Sequence, residues 1–194
     1  MKLAIIGTHG TGKTSLAHAV MSALKEAGIN AGMTQEQVRN CPIKIGTENE
    51  KNVKAELWII CRQIADEVEK SAAHDVVVCD RSVLDTLAYY TWMLERDSKL
   101  AESDVVADRA AHKLVDEWLS SYNHFFYVQR SESTLVPDGF RSTSPEWQRE
   151  IDDIVLRLMR EKGIAAVTIP LAPNHKRAEI VLNAIRMLPA KATA

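Results

Sequence analysis

At 194 residues, with 46% hydrophobic and 26% charged side chains, the chain has room for one globular domain, or for one domain carrying a lid. A formal net charge of −2 argues against a duplex-binding role, and no apolar run approaches the roughly 20 residues that a membrane-spanning helix needs. Cys41, Cys61 and Cys79 are scattered without metal-ligand spacing and read as reduced thiols of a cytoplasmic protein; the chain enters its first strand at once, so no signal peptide is expected.

In chain order, residues 2–6 form a short apolar segment suited to a buried parallel strand. Next comes Gly7-Thr8-His9-Gly10-Thr11-Gly12-Lys13-Thr14, a phosphate-binding loop of the form G-x-x-x-x-G-K-T. Residues 15–25, starting at Ser15, are apolar at helical spacing and halted by Gly28. Strand, glycine loop and helix start follow in the order a nucleotide site requires, and the cradle is expected to run from Gly7 through Ser15. Lys13 supplies a cation for the β- and γ-phosphates, and the Thr14 hydroxyl is the expected Mg²⁺ ligand. His9 reads as a solvated spacer within the loop.

Residues 29–34 read as a weak second strand and 36–42 as a loop or a broken turn. A helix is predicted over 52–71, with Val53, Leu57, Ile60, Ile64 and Val68 on one apolar face. The β-branched run 75–79 predicts a buried strand ending at Asp80. Helices over 82–93 and 104–119, a strand over 124–128 and a polar loop from 131 to 145 follow. Ser144-Pro145-Glu146 opens a further helix, which stops at Gly163. A strand over 164–169 and a helix over 174–188 end the pattern, with 190–194 expected to fray. Strands alternating with helices imply a single α/β domain over 1–194, a doubly wound five-stranded parallel sheet with helices on both faces, with a lid over 131–149. In such a sheet all strand C-termini share one rim, and ligands bind there.

That rim collects the candidate chemistry. Asp80 can hold Mg²⁺ beside Thr14, or serve as a helix cap. Arg81 suits a phosphoryl oxygen, with Asp85 one turn on to orient it. Glu36 can take a proton from an acceptor hydroxyl, and Arg39 can clamp an anionic group. Arg141 lies in the loop after the fourth strand, where it could stabilise transferred charge; Arg149 and Arg160 read as a solvated face. Arg62, with Trp58 and Gln63, could line an acceptor pocket.

The stretch from Val77 to Tyr89, with Asp80-Arg81-Ser82 and Asp85-Thr86-Leu87-Ala88-Tyr89, resembles the D/E-R-[SY]…D-x-x-A-Y segment of thymidylate and deoxynucleoside kinases. Glu36-x-x-Arg39-x-Cys41-Pro42 and Asp138-Gly139-x-Arg141-Ser142 look closer to the nicotinamide riboside kinase-like ATPases. The chain thus resembles the nucleoside and nucleotide kinase branch of the P-loop NTPases, from Lys2 to about Ile185. The resemblance implies ATP with Mg²⁺, γ-phosphoryl transfer to a small nucleoside, nucleotide or riboside acceptor, and loop arginines that form a lid. No nucleic-acid or membrane partner is expected, and a homodimer is left open. Glu36 is followed by Gln37, where thymidylate kinases usually carry an acid-Pro pair. The rival reading is a P-loop ATPase acting as a nucleotide-dependent switch. Against it, no Asn-Lys-x-Asp base-reading motif is present, and Asp80 does not open a D-x-x-G switch.

Overall fold

The computed structural model describes residues 1–45, 52–97, 99–131 and 144–187. Five strands, β1 (Lys2–Ile6), β2 (Ala31–Thr34), β3 (Val76–Asp80), β4 (His124–Val128) and β5 (Ala166–Ile169), form one sheet in the order β2-β3-β1-β4-β5. Every pairing is parallel. The C-terminal ends of β1, β2 and β3 therefore lie side by side, which brings Gly7, Glu36 and Arg81 to one rim. This is the fold predicted from the alternation of strands and helices.

Among the described residues six α-helices cover the sheet: α1 (Lys13–Glu26), α2 (Val53–Ala73), α3 (Val83–Arg96), α4 (Val105–Leu119), α5 (Pro145–Glu161) and α6 (Asn174–Met187). Three start on side-chain caps. Asn52 accepts from Ala55 N, Ser82 from Leu84 N and Ser144 from Trp147 N, each at 3.2 Å. Ser82, not Asp80, caps α3, so the carboxylate of Asp80 is left to the rim. The residues after β2 form a one-turn 3₁₀ helix, Gln37–Asn40, within the segment expected to be a loop or a broken turn.

The pleat divides the core in two. Leu3 and Ile5 of β1 pack with Leu16 and Val20 of α1 and Val181 of α6. Ala4 and Ile6 face the other way, with Leu84 and Leu87 of α3 and Ile151 and Val155 of α5. A sheet buried on both faces needs apolar residues at every position of its central strands, and β1 and β3 have them but for Lys2 and Asp80 at their ends.

The buried stripe of α2 differs from the predicted one. Val68 is 53% exposed, whereas Glu67 beside it is 0% exposed. The helix buries Val53, Glu56, Ile60, Gln63 and Glu67, which share one face at 3.6 residues per turn. Three of these five are polar, and for Gln63 and Glu67 hydrogen-bond partners on β1, α4 and the β3–α3 turn meet them there. An apolar periodicity has no means of registering such partners.

Candidate active site

The phosphate cradle is built by backbone that only glycine can adopt. Gly7 has φ 136°, and a Cβ there would lie 2.8 Å from the carbonyl oxygen of Val128. Gly12, at φ 77°, turns the chain into the first residue of α1. The N-terminus of α1 thus opens onto the loop, with its unsatisfied N–H groups and the positive end of its dipole. Gly10, Gly12, Thr14 and Ser15 are exposed, while Thr8, His9, Thr11 and Lys13 are buried. Lys13 Nζ donates to the carbonyl of Thr8, closing the loop on itself.

The chain segments around the loop hold it in shape. Gly7 N donates to Asp85 Oδ1 at 3.0 Å, and Thr8 Oγ1 donates to the carbonyl of Gln148 at 3.1 Å. Gln148 Nε2 returns a bond of 2.7 Å to the carbonyl of His9. His9 is 1% exposed, its N–H donates to Tyr89 Oη at 3.2 Å, and its ring lies 4.7 Å from that of Trp147. The solvated spacer expected at this position is therefore a buried one, enclosed by α3 and α5. Arg177, at the start of α6, donates from Nη2 to the carbonyl of Thr11 at 3.1 Å.

At the end of β3, Asp80 Oδ2 accepts from Thr14 Oγ1 at 2.7 Å. Arg81 follows with φ 79°, the one positive φ outside glycine among the described residues. Its Nε donates to Glu36 Oε1 at 2.6 Å, and the other Glu36 oxygen lies 3.5 Å from Arg39 Nε. Burial opposes the charge on Arg81, but Glu36, Tyr89, Asp85 and Asp80 together outweigh it and raise its pKa further. The guanidinium is a fixed cation. Asp85 is buried beneath the loop, with Oδ2 accepting from Ser82 N at 2.8 Å and its Oδ1 4.0 Å from Arg81. Burial raises its pKa, against the lowering influence of Arg81, Lys13 and the N–H groups of Ser82 and Gly7. Asp85 thus ties the glycine loop to the β3–α3 turn.

The structure brings together Gly7 to Ser15, Glu36, Arg39, Asp80, Arg81 and Asp85. Arg62 lies on the exposed side of α2, and Gln63 is turned inward, with its amide on the carbonyl of Arg81. Arg149 and Arg160 are exposed, as expected. Arg141, the Asp138–Arg141 motif and most of the lid lie outside the described residues; residues 144–149 are the cap and first turn of α5. Sequence reasoning passed over Gln148 and Arg177. Their only signal was position, at the starts of helices that follow β4 and β5 at the same rim.

Residues 2–177 match the family described as "AAA domain". The chain belongs to that family. No curated protein matches it in sequence. Among solved structures it is similar to deoxyadenosine kinase from M. mycoides with products dCMP and dCDP bound, at 14% identity and TM-score 0.66, over 97% of this chain and 100% of that one. It is similar to the NadR protein in complex with NR, at 17% identity and TM-score 0.71; the match covers all of this chain but only 54% of that one. A third is thymidylate kinase from Ehrlichia chaffeensis, at 18% identity and TM-score 0.63, over 95% of this chain and 98% of that one. At these identities the likeness is one of fold: that of the P-loop nucleoside and nucleotide kinases. Among the described residues no helix is long and apolar enough to cross a membrane.

Proposed function

We propose that this protein is an ATP- and Mg²⁺-dependent kinase that transfers the γ-phosphoryl group to a small nucleoside-, nucleotide- or riboside-like acceptor. The observation that carries this reading is the juxtaposition of two groups on one rim. Thr14 and Asp80 meet at 2.7 Å at the mouth of the glycine loop, and the Arg81–Glu36–Arg39 cluster sits beside them. Loop and helix N-terminus suit a polyphosphate, while a charged cluster at the neighbouring strand end suits a second substrate.

The hydroxyl of Thr14 and the carboxylate of Asp80 are hard oxygen donors, the kind Mg²⁺ takes, and they would hold it. Bound there, Mg²⁺ would supply positive charge to the phosphates of the nucleotide. Lys13 binds these phosphates as a mobile cation once a phosphate replaces the Thr8 carbonyl as its acceptor. Arg81 presents a permanent charge to the transferring group, and Glu36 orients it through Nε. Glu36 is also the carboxylate in reach of an acceptor hydroxyl and takes its proton as the oxygen attacks. Arg39, half-exposed, meets the acceptor from the outer side.

The test is acceptor-stimulated ADP release, with Mg-ATP and a panel of deoxyadenosine, nicotinamide riboside and thymidine monophosphate. A phosphorylated acceptor supports the kinase reading. Slow hydrolysis that no acceptor stimulates supports a nucleotide switch instead. Asp80→Asn is expected to shift the Mg²⁺ dependence of turnover to higher concentration; unchanged dependence would remove Asp80 from the metal site.

A further inference from the structure

Arg81 stands in a backbone conformation that a residue with a Cβ adopts only when its surroundings impose it. Three contacts impose it, and two lead to one buried carboxylate. On the strand side, Arg81 N donates to the carbonyl of Ile5 at 3.1 Å, an extension of the β1–β3 ladder. The carbonyl of Arg81 accepts from Gln63 Nε2 at 2.9 Å, and the same amide donates to Glu67 Oε1 at 3.1 Å. Two residues on, Val83 N donates to Tyr122 Oη at 3.2 Å, and that hydroxyl donates to Glu67 Oε1 at 2.6 Å. The backbone is therefore gripped on both sides of the Arg81–Ser82 turn by two arms from Glu67.

Glu67 is itself immobilised. Its other oxygen accepts from Lys2 Nζ at 3.2 Å and from Trp118 Nε1 at 2.7 Å. Its carboxylate is fully enclosed and takes bonds from β1, α2, α4 and the segment before β4. A carboxylate with both oxygens doubly engaged defines one geometry, and through Gln63 and Tyr122 it passes that geometry to the turn.

We infer that Glu67, Gln63 and Tyr122 form a positioning relay that aims the guanidinium of Arg81 into the phosphoryl-transfer site. The inference rests on the role proposed above for Arg81. None of the three touches a substrate; they act through the turn. Removing either arm lets Arg81 relax toward negative φ, which swings its side chain away from Glu36 and the phosphates. A misplacement of that size costs about 10²-fold in rate.

The test compares Gln63→Met, Tyr122→Phe and Arg81→Ala, singly and with Arg81→Ala as background. Turnover is measured with Mg-ATP and the best acceptor of the panel, or as ADP release if none is phosphorylated. Thermal midpoints are recorded alongside. The expected result is a loss of about 10²-fold in kcat for Gln63→Met, and a smaller one for Tyr122→Phe, with the KM for ATP unchanged. In the Arg81→Ala background neither change should lower kcat further, because the group being aimed is already gone. A lowered midpoint with wild-type kcat in both variants would make the network structural only and overturn the relay. So would losses that multiply with that of Arg81→Ala. If Arg81→Ala itself turns over at the wild-type rate, the reading of the site fails, and the relay with it; if only the arms are silent, the site reading stands alone.

Discussion

Two carboxylates on one molecule, Glu36 and Glu67, show how location assigns a role. Both are bonded to cations. Glu67 lies in the interior behind the β3–α3 turn, fully buried, and its partners are Lys2, Gln63, Trp118 and Tyr122. Glu36 lies at the C-terminal rim, partly open, and its partners are Arg81 and the half-exposed Arg39. The first has every lone pair taken by a rigid donor, so it can only hold. The second meets side chains that an incoming anion can draw away, so it can exchange partners. The fold keeps the permanent network in the interior and the exchangeable one at the rim, with the β3–α3 turn joining them.

Five substitutions probe that contrast, beginning with the largest expected loss of turnover. Lys13→Ala, at the rim, should reduce phosphoryl transfer by about 10³-fold or more, since it removes charge aimed at the phosphates. Its thermal midpoint should stay near the wild-type value, and a substantial residual rate in steady-state assays would dislodge Lys13 from the site. Glu67→Ala, in the interior, should do the reverse and act first on stability. It leaves a nearly buried Lys2 ammonium without its carboxylate, at a cost of about 3 kcal/mol, to be read from urea unfolding.

Glu36→Gln should lower kcat by about 10²-fold with little change in KM if the acceptor is a hydroxyl. With a monophosphate acceptor, an already anionic nucleophile, Arg39→Ala should instead raise the acceptor KM. Kinetics of the two variants on one acceptor separate these outcomes, and a wild-type kcat for Glu36→Gln would refute the base role.

The most gradual effect concerns pH. Burial in α2 raises the Glu56 carboxyl from an ordinary 4.5 to about 8. Between those values the unfolded chain has released this proton while the folded chain retains it. Stability therefore falls as pH rises across that window, by up to roughly 1.4 kcal/mol per pH unit, and levels off above the folded value. Glu56→Gln should flatten that slope in chemical denaturation at pH 5, 6, 7 and 8; an unchanged slope would assign the dependence elsewhere.

Much of this architecture was legible before any coordinates. The glycine loop needs a strand before it and a helix after it, and all three are written in consecutive residues. The run from Val76 to Cys79 and the proline and serine that open α5 are equally local signals, since they rest on side-chain shape and on unsatisfied backbone groups at helix ends. Asp80, Arg81 and Glu36 could be placed at one rim because parallel strands share a direction. The sequence alone thus determined the fold class, the place of the glycine loop between strand and helix, and which strand ends share a rim.

What it left open depends on partners far along the chain. Nothing near His9 announces that Trp147 and Tyr89 will enclose it, and nothing near Glu67 announces Lys2, Trp118 and Tyr122. Periodicity placed Val68 in the core because apolar spacing is all that periodicity measures. The tertiary structure put Glu67 there instead, because buried polar groups are tolerated where hydrogen-bond donors converge, and convergence is a property of the assembled fold. The positive φ of Arg81 belongs to the same class: a local cost, sustained by contacts that lie 18 and 39 residues away in sequence.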